Sequence, residues 1–463
     1  MLAAAIILVF SIWFAWRLSN SSHVRRIERE IRARGEPLTL AELAKTYSAI
    51  EERENAAIPL LAAWEKEQPA YWRAIRMGER PTVPLKPSVF DPSLPFLGRN
   101  ARSISRRSLS TSNLLAAERF IEEQSKHMEA VRAAIQRPRS RFPINIQDGY
   151  FALLPHLAQI RTEAQKFQIE ALVRSEKGQI REAFEAIQCI KGLADKLCDE
   201  PILIGQLVRL RCANVALDAL EQLMSRRQLP AEEIDRIVAL LEEMRVTNAL
   251  RRSFLGERVV SLSVFEMSSY QISELISERH ESADEIRDRA KGTQLMGWLF
   301  RITGVETADR RLILETLTRG IELAELDSLE GLRRFSELEK QLNAKLQTFP
   351  PKLYSKMLLP AVDNVAIRFA SFESRRRAAI LACLAEKYRL THEGKVPQSV
   401  VDLISTNVGA IVRDPFTGEL LRLKHLDGVF VIYSVGPDRT DDQGRERQQN
   451  EQSGYDITFI LER

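Results

Sequence analysis

From about residue 148 to residue 405, apolar residues recur at three- and four-residue spacing with little interruption. That period fits helices with one buried face, because a half-buried strand alternates every second residue. Residues 171–197, ALVRSEKGQIREAFEAIQCIKGLADKL, show the unit: Leu172, Ile180, Phe184, Ile187 and Leu193 recur around a break at Gly178. Helix, glycine turn and helix resemble a tetratricopeptide-type hairpin, although no clean repeat of it follows. The expectation is a mainly α protein whose ectodomain is an α-solenoid-like array or a helical bundle. Pro230-Ala231-Glu232-Glu233 opens a further helix, with Ile234, Ile237, Val238, Leu240 and Leu241 on one face. Stretches 247–280, 305–347 and 352–393 are amphipathic as well, the last carrying Arg375, Arg376 and Arg377. Such stripes are core faces and imply no cofactor.

The N-terminus speaks to location. Leu2 to Trp16 reads LAAAIILVFSIWFAW, with Ser11 its one polar residue. The run is short for a span of about 20 residues, but a thin or dimpled bilayer accepts it. Trp13 and Trp16 stand at one end, as an interfacial aromatic belt does. No A-x-A cleavage pattern follows, so residues 1–18 are expected to be an uncleaved signal anchor, a single transmembrane helix touching lipid through residues 2–16. Arg17, Arg25, Arg26, Arg29, Arg32 and Arg34 all follow it, and the positive-inside rule then places the rest in the cytoplasm. The tail described below argues for the exported side of the inner membrane, which is the placement adopted as the expectation.

Membrane-proximal helices fill residues 19–80. Gly35 ends the first, and Thr39-Leu40-Ala41-Glu42 is a capping box for the next. Ala56, Ala57, Leu60, Leu61 and Trp64 define another. Pro81, Pro84, Pro87, Pro92 and Pro95 exclude a regular helix and mark residues 81–110 as an extended connector. Arg99, Arg102, Arg106 and Arg107 accumulate there, and Arg137, Arg139 and Arg141 form a second cluster. Both are expected to be solvated faces or lipid-headgroup contacts. The net charge of +4 is slight for 463 residues, and interleaved aromatics are missing, so no nucleic-acid partner is expected. Cys189, Cys198, Cys212 and Cys383 form no C-x-x-C pair and read as buried free thiols, with a Cys189–Cys198 or longer-range disulfide as the alternative.

No catalytic constellation is legible. His280-Glu281 and His392-Glu393 begin a zinc-protease pattern, but Asp284 and Val396 stand where its second histidine belongs. No G-x-S-x-G, phosphate-binding or dinucleotide-binding glycine motif occurs. The chain is therefore expected not to be an enzyme.

Residues 394–463 differ in character. After the helical array of residues 111–393 comes a short helix opened by Pro397. Asp414-Pro415-Phe416-Thr417-Gly418 is a turn, and Leu421–Lys424, a hairpin turn at Asp427-Gly428 and Val429–Val435 read as antiparallel strands. A polar loop, Gly436 to Gly454, leads to a last strand, Tyr455 to Leu461. The run DPFTGELLRLKHLDGVFVIYSVGPDRTDDQG, closing with Tyr455-Asp456-Ile457, resembles the C-terminal part of type II secretion major pseudopilins. That resemblance implies a small α+β module whose loop binds calcium. By it, Asp438 and Asp456 match the family's acidic loop positions, and Asp441 and Asp442 are neighbouring candidates for the metal, since calcium takes hard oxygen ligands. Arg439, Arg445 and Arg447 depart from the family by placing positive charge in the loop. The alternative is a loop whose carboxylates cap its own backbone. The N-terminal run has no glutamate, unlike a pseudopilin, so the resemblance is confined to the tail. The whole layout resembles uncharacterised single-span bacterial membrane proteins in which such a tail follows a helical ectodomain. The expected role is a membrane-anchored scaffold binding another envelope protein. The alternatives are an accessory of a type II secretion or pilus-like apparatus, or an envelope hydrolase.

Overall fold

The computed structural model describes residues 2–85, 94, 106, 108–246, 248–277, 283–403, 411–426, 428–447, 451 and 454–462. Within them the protein is mainly helical, with one small sheet. Helix α1 (Leu2–Ala33) runs unbroken across residue 18, where the anchor was expected to give way to a separate helix, and ends at Gly35 with φ +70°. Its C-terminal half buries Val24, Ile27 and Ile31, while Ile6, Ile7, Leu8, Phe10, Ile12 and Phe14 remain exposed. Among the described residues no helix is long and apolar enough to cross a membrane. In α2 (Leu40–Thr46) the capping box forms as expected: Glu42 N–H donates to Thr39 Oγ1 at 3.2 Å, and Thr39 N–H to Glu42 Oε2 at 3.2 Å. Helices α3 (Ala57–Glu67), α4 (Pro69–Arg76) and α5 (Thr111–Ile135) follow, and Trp64 meets Trp72 at 4.9 Å with the rings tilted and stacks on Phe142 at 5.9 Å.

The densest packing lies in α6 (Pro155–Glu176), α7 (Ile180–Asp195) and α8 (Leu203–Arg226). The first two form the expected hairpin, turning at Gly178 with φ +72°. Next come α9 (Ala231–Glu243), α10 (Ala249–Ser263), α11 (Ser269–Leu275), α12 (Ala283–Thr303), α13 (Val305–Leu323), α14 (Ser328–Leu346), α15 (Leu353–Leu358) and α16 (Val362–Thr391). Gly256 of α10 touches the backbone at Pro201, and a Cβ there would lie 1.7 Å from the Pro201 carbonyl oxygen. Helix α13 lies beside α1 in the same direction, through Arg311–Asn20 (3.2 Å), Arg310–Glu28 (2.8 Å) and Arg34–Glu322 (3.1 Å). Helix α10 runs against it in the opposite sense, through Arg258–Thr318 (3.3 Å) and Arg251–Glu325 (2.8 Å).

Strands β1 (Arg422–Leu426), β2 (Val429–Ser434) and β3 (Ile457–Glu462) form an antiparallel sheet in the order β1-β2-β3. Ile432, Phe459 and Leu461 join the main core with α16, and Val431, Tyr433 and Ile460 form a cluster on the other face. Residue β3 Ile460 bonds outward to α8: its N–H donates to Glu221 Oε1 at 2.7 Å and its carbonyl accepts from Ser225 Oγ at 3.3 Å. Two α8 side chains thus occupy an edge that would otherwise be open to strand addition.

Arg106, Arg137 and Arg141 depart from expectation, whereas Arg139 is exposed. Arg106 is half-buried among Glu221, Glu446 and Glu462. Arg137 donates to the carbonyls of Glu52 and Asn55, and Arg141 bonds the Tyr47 carbonyl while lying 5.0 Å over its ring. They are clamps between distant segments rather than solvated faces. Arg375 likewise pairs with Asp218 and Glu221. Most of the proline-rich connector, including Arg99, Arg102 and Arg107, lies outside the described residues, as do His280 and Asp427. All four cysteines are free, and all but Cys198 are buried.

Candidate functional site

The tail loop was the place where sequence pointed to a site. It folds back over the outer face of the sheet. Gly444, at φ +75°, sits so close that a Cβ would lie 3.2 Å from Val431 Cγ1 and 3.3 Å from Tyr433 Cδ1. Three of the four loop aspartates hold this arrangement through their carboxylates, while Asp442 contributes its backbone N–H. Asp438 accepts from the N–H groups of Thr440 (3.1 Å) and Gly454 (3.2 Å). Asp441 accepts from Tyr433 Oη (3.1 Å) and Gln443 N–H (2.9 Å), and pairs with Arg422 at 2.5 Å. Asp456 accepts from Asp442 N–H (3.4 Å) and Gly444 N–H (2.7 Å). Asp414, in the first turn of the tail, accepts from Ser434 Oγ (2.8 Å) and Val435 N–H (3.1 Å), so the two turn motifs carried by the resemblance are joined directly.

Two features of this loop favour a cation. Asp442 Oδ2 is buried without a hydrogen-bond partner, and the Asp456 carboxyl is pushed up to about 6, by burial and by its neighbours Asp441 and Asp442 against two backbone amides. The remaining geometry does not fit. Both oxygens of Asp438 and of Asp456 are committed to loop amides, and Arg422 occupies Asp441. No three ligand atoms of this set lie within 4.8 Å of one another, whereas a calcium site gathers six to eight oxygens about one point. The carboxylates of Asp438, Asp441 and Asp456 serve the loop backbone.

Such a convergence occurs once among the described residues, at Glu67, His127 and Glu163, from α3, α5 and α6. His127 Nε2 lies 3.0 Å from Glu163 Oε1, and its Nδ1 lies 3.4 Å from Glu67 Oε1. Gln159 Nε2 donates to Glu163 Oε1 at 2.8 Å, and Glu163 Oε2 has no partner. Burial would raise the Glu163 carboxyl, but the His127 hydrogen bond and the Lys166 charge hold it below its usual range. Lys166 Nζ stands 3.4 Å from both carboxylates, the place a divalent cation would take. Lys166 thus offsets one of the two negative charges of the cluster. Nothing in the sequence marked it, since its members are far apart and lack a ligand spacing.

A third place is a groove of about 160 Å³ between α16 and the β1–β2 hairpin, lined by Ala385, Arg389, Pro397, His425, Phe430 and Leu461 among others. It is smaller than the roughly 300–1,000 Å³ of ordinary ligand sites. Arg389 Nη2 is buried there without a partner, and His425 Nε2 is bound to the Pro397 carbonyl at 2.9 Å. None of the three places joins a nucleophile, a base and an anion-stabilising group. Comparison with protein-family models, curated proteins and solved structures finds no match to this chain.

Proposed function

We propose that the protein is a membrane-anchored, non-enzymatic scaffold of the cell envelope, held in the inner membrane by the apolar half of α1 with its bulk on the exported side. The observation that carries this reading is the split character of α1. Its first half exposes Ile7 at 66% and Phe14 at 50%, while its second half is built into the core at Val24, Ile27 and Ile31. Soluble surfaces rarely expose so large a contiguous apolar patch. Because the helix is continuous, lipid insertion of residues 2–16 would fix the tilt of the whole body without a flexible linker.

The test is floatation of the full chain with lipid vesicles, followed by alkaline carbonate extraction. Retention in the lipid fraction is expected, and release of a Phe10→Asp/Phe14→Asp variant would assign it to α1. Recovery of the unaltered chain in the soluble fraction would end the membrane reading. A second reading, an accessory of a type II secretion or pilus-like apparatus, draws support from the Asp414 link between the two tail turns. Stoichiometric association with a filament or secretin component would favour it.

A further inference from the structure

We propose that the C-terminal half of α12 is a second membrane contact, lying in the lipid interface beside the apolar half of α1. This rests on reading α1 as a membrane anchor. The first half of α12 is charged and self-paired, Arg287 with Asp284 at 3.3 Å and Lys291 with Asp288 at 2.8 Å. The second half, Thr293 to Thr303, is apolar apart from Gln294, Arg301 and its two threonines. Leu295, Trp298, Leu299 and Ile302 fall at i, i+3, i+4 and i+7, a stripe that ordinarily faces a core. Here it faces outward: Leu295 is 61% and Trp298 58% exposed, with Met296 beside them. The inner side of the helix is already taken, since Thr293 meets Ser273 of α11 at 3.1 Å.

Lipid is the occupant that this surroundings selects. Trp13 Nε1 donates to the Thr303 carbonyl at 2.9 Å, and Arg17 Nη1 to the Ile302 carbonyl at 2.8 Å. Gly304, at φ +80°, lets the chain turn into α13 against Trp16 and Arg17. The last turn of α12 is therefore capped by the residues that end the apolar run of α1. Trp13 and Trp16 sit at the last turn of α12, and Trp298 lies five residues before Thr303 on the same helix, an arrangement that suits an interfacial aromatic belt. Eight residues from Leu295 to Ile302 extend about 12 Å, enough to lie in one leaflet and too short to cross both.

The test uses the full chain in phosphatidylcholine/phosphatidylglycerol vesicles whose acyl chains carry bromine, with tryptophan emission as the readout. Comparing the unaltered chain with Trp298→Phe isolates Trp298. The variant is expected to float equally well and to lose about a third of the bromine quenching, one of three tryptophans at that end. Floatation with Trp13 and Trp16 quenched but no difference for Trp298→Phe would overturn the α12 contact and leave the α1 anchor standing. Failure of the unaltered chain to float would overturn both. Shielding of Trp298 that rises with protein concentration in the absence of lipid would assign the stripe to a second copy and overturn the proposal.

Discussion

The two ends of the molecule treat apolar surface in opposite ways. The small sheet has one face on α16, the other under the 436–454 loop, and the edge of β3 bonded by Glu221 and Ser225. The end formed by α1 and α12 leaves Ile6, Ile7, Leu8, Phe10, Leu295 and Trp298 uncovered. A chain that spends a buried ion network on closing one small module has no physical reason to leave a larger apolar surface wet. On the membrane reading proposed above, the open end has its solvent in lipid, while the module is a fixed part of the helical body.

The largest effect should come from the latch. Glu221 faces Arg106 at 3.2 Å and Arg375 at 2.6 Å, and holds the Ile460 N–H. Glu221→Gln removes the one buried carboxylate that Arg106 and Arg375 share, leaving Arg106 with Glu446 and Glu462 and Arg375 with Asp218, and should cost about 3 kcal/mol in denaturant unfolding. A cost under about 1 kcal/mol would mean the module is held by apolar packing alone. Next in size is Gly444→Ala, which adds a Cβ against Val431 and Tyr433 at positive φ, expected at about 2–3 kcal/mol. Gly394→Ala is its control: φ is +83°, nothing lies within 4 Å, and only the backbone strain of about 1 kcal/mol applies. Equal losses at the two glycines would show that the loop does not rest on the sheet.

A smaller, pH-dependent effect belongs to Asp456. Its folded carboxyl titrates near 6 rather than near the ordinary 3.8, so the folded chain holds the extra proton between those values. Stability contributed by this group is therefore present at low pH and is lost as pH rises through that window, about 1–2 kcal/mol in all. Asp456→Asn removes the titration, so its melting temperature relative to the unaltered chain should climb between pH 4 and 6.5 and then level off. Calcium should leave both melting curves in place. A calcium-dependent rise, abolished by Asp438→Ala, would instead mean that the loop rearranges its carboxylates around the ion.

Much of this was legible before any coordinates. The α6–α7 hairpin, the Thr39–Glu42 capping box, the Pro230 helix start and three strands near their observed positions follow from spacing, because each is specified by neighbours within a few residues. The roles of Arg106, Arg137 and Arg141 are not legible because their partners are remote: Arg106 and Glu462 are 356 residues apart, and composition cannot tell a clamp from a solvated face. The loop aspartates are legible in the sequence only as a cluster, because whether carboxylates turn toward an ion or their own amides depends on loop backbone geometry. Helix α12 escaped notice because a charged run, residues 284–291, precedes its apolar stripe and hides it in any average over the helix.

The smallest expected effect bears most directly on the comparison. Leu299 lies on the exposed stripe of α12, whereas Leu317 is buried between α13 and its neighbours. In lipid-free solution Leu299→Gln should change stability by less than about 0.5 kcal/mol, since no buried core side chain is removed. Leu317→Ala should cost about 2–5 kcal/mol through lost burial and the cavity it leaves. If Leu299→Gln proves as damaging as Leu317→Ala, the stripe is covered by protein in solution and the open end is closed after all. If it is silent in solution yet weakens vesicle floatation, then its apolar side chain does nothing for folding and acts only at the membrane. A stripe with that pattern of effects is an interfacial element by the same physics that makes the sheet a core element: apolar surface stabilises whichever state removes it from water.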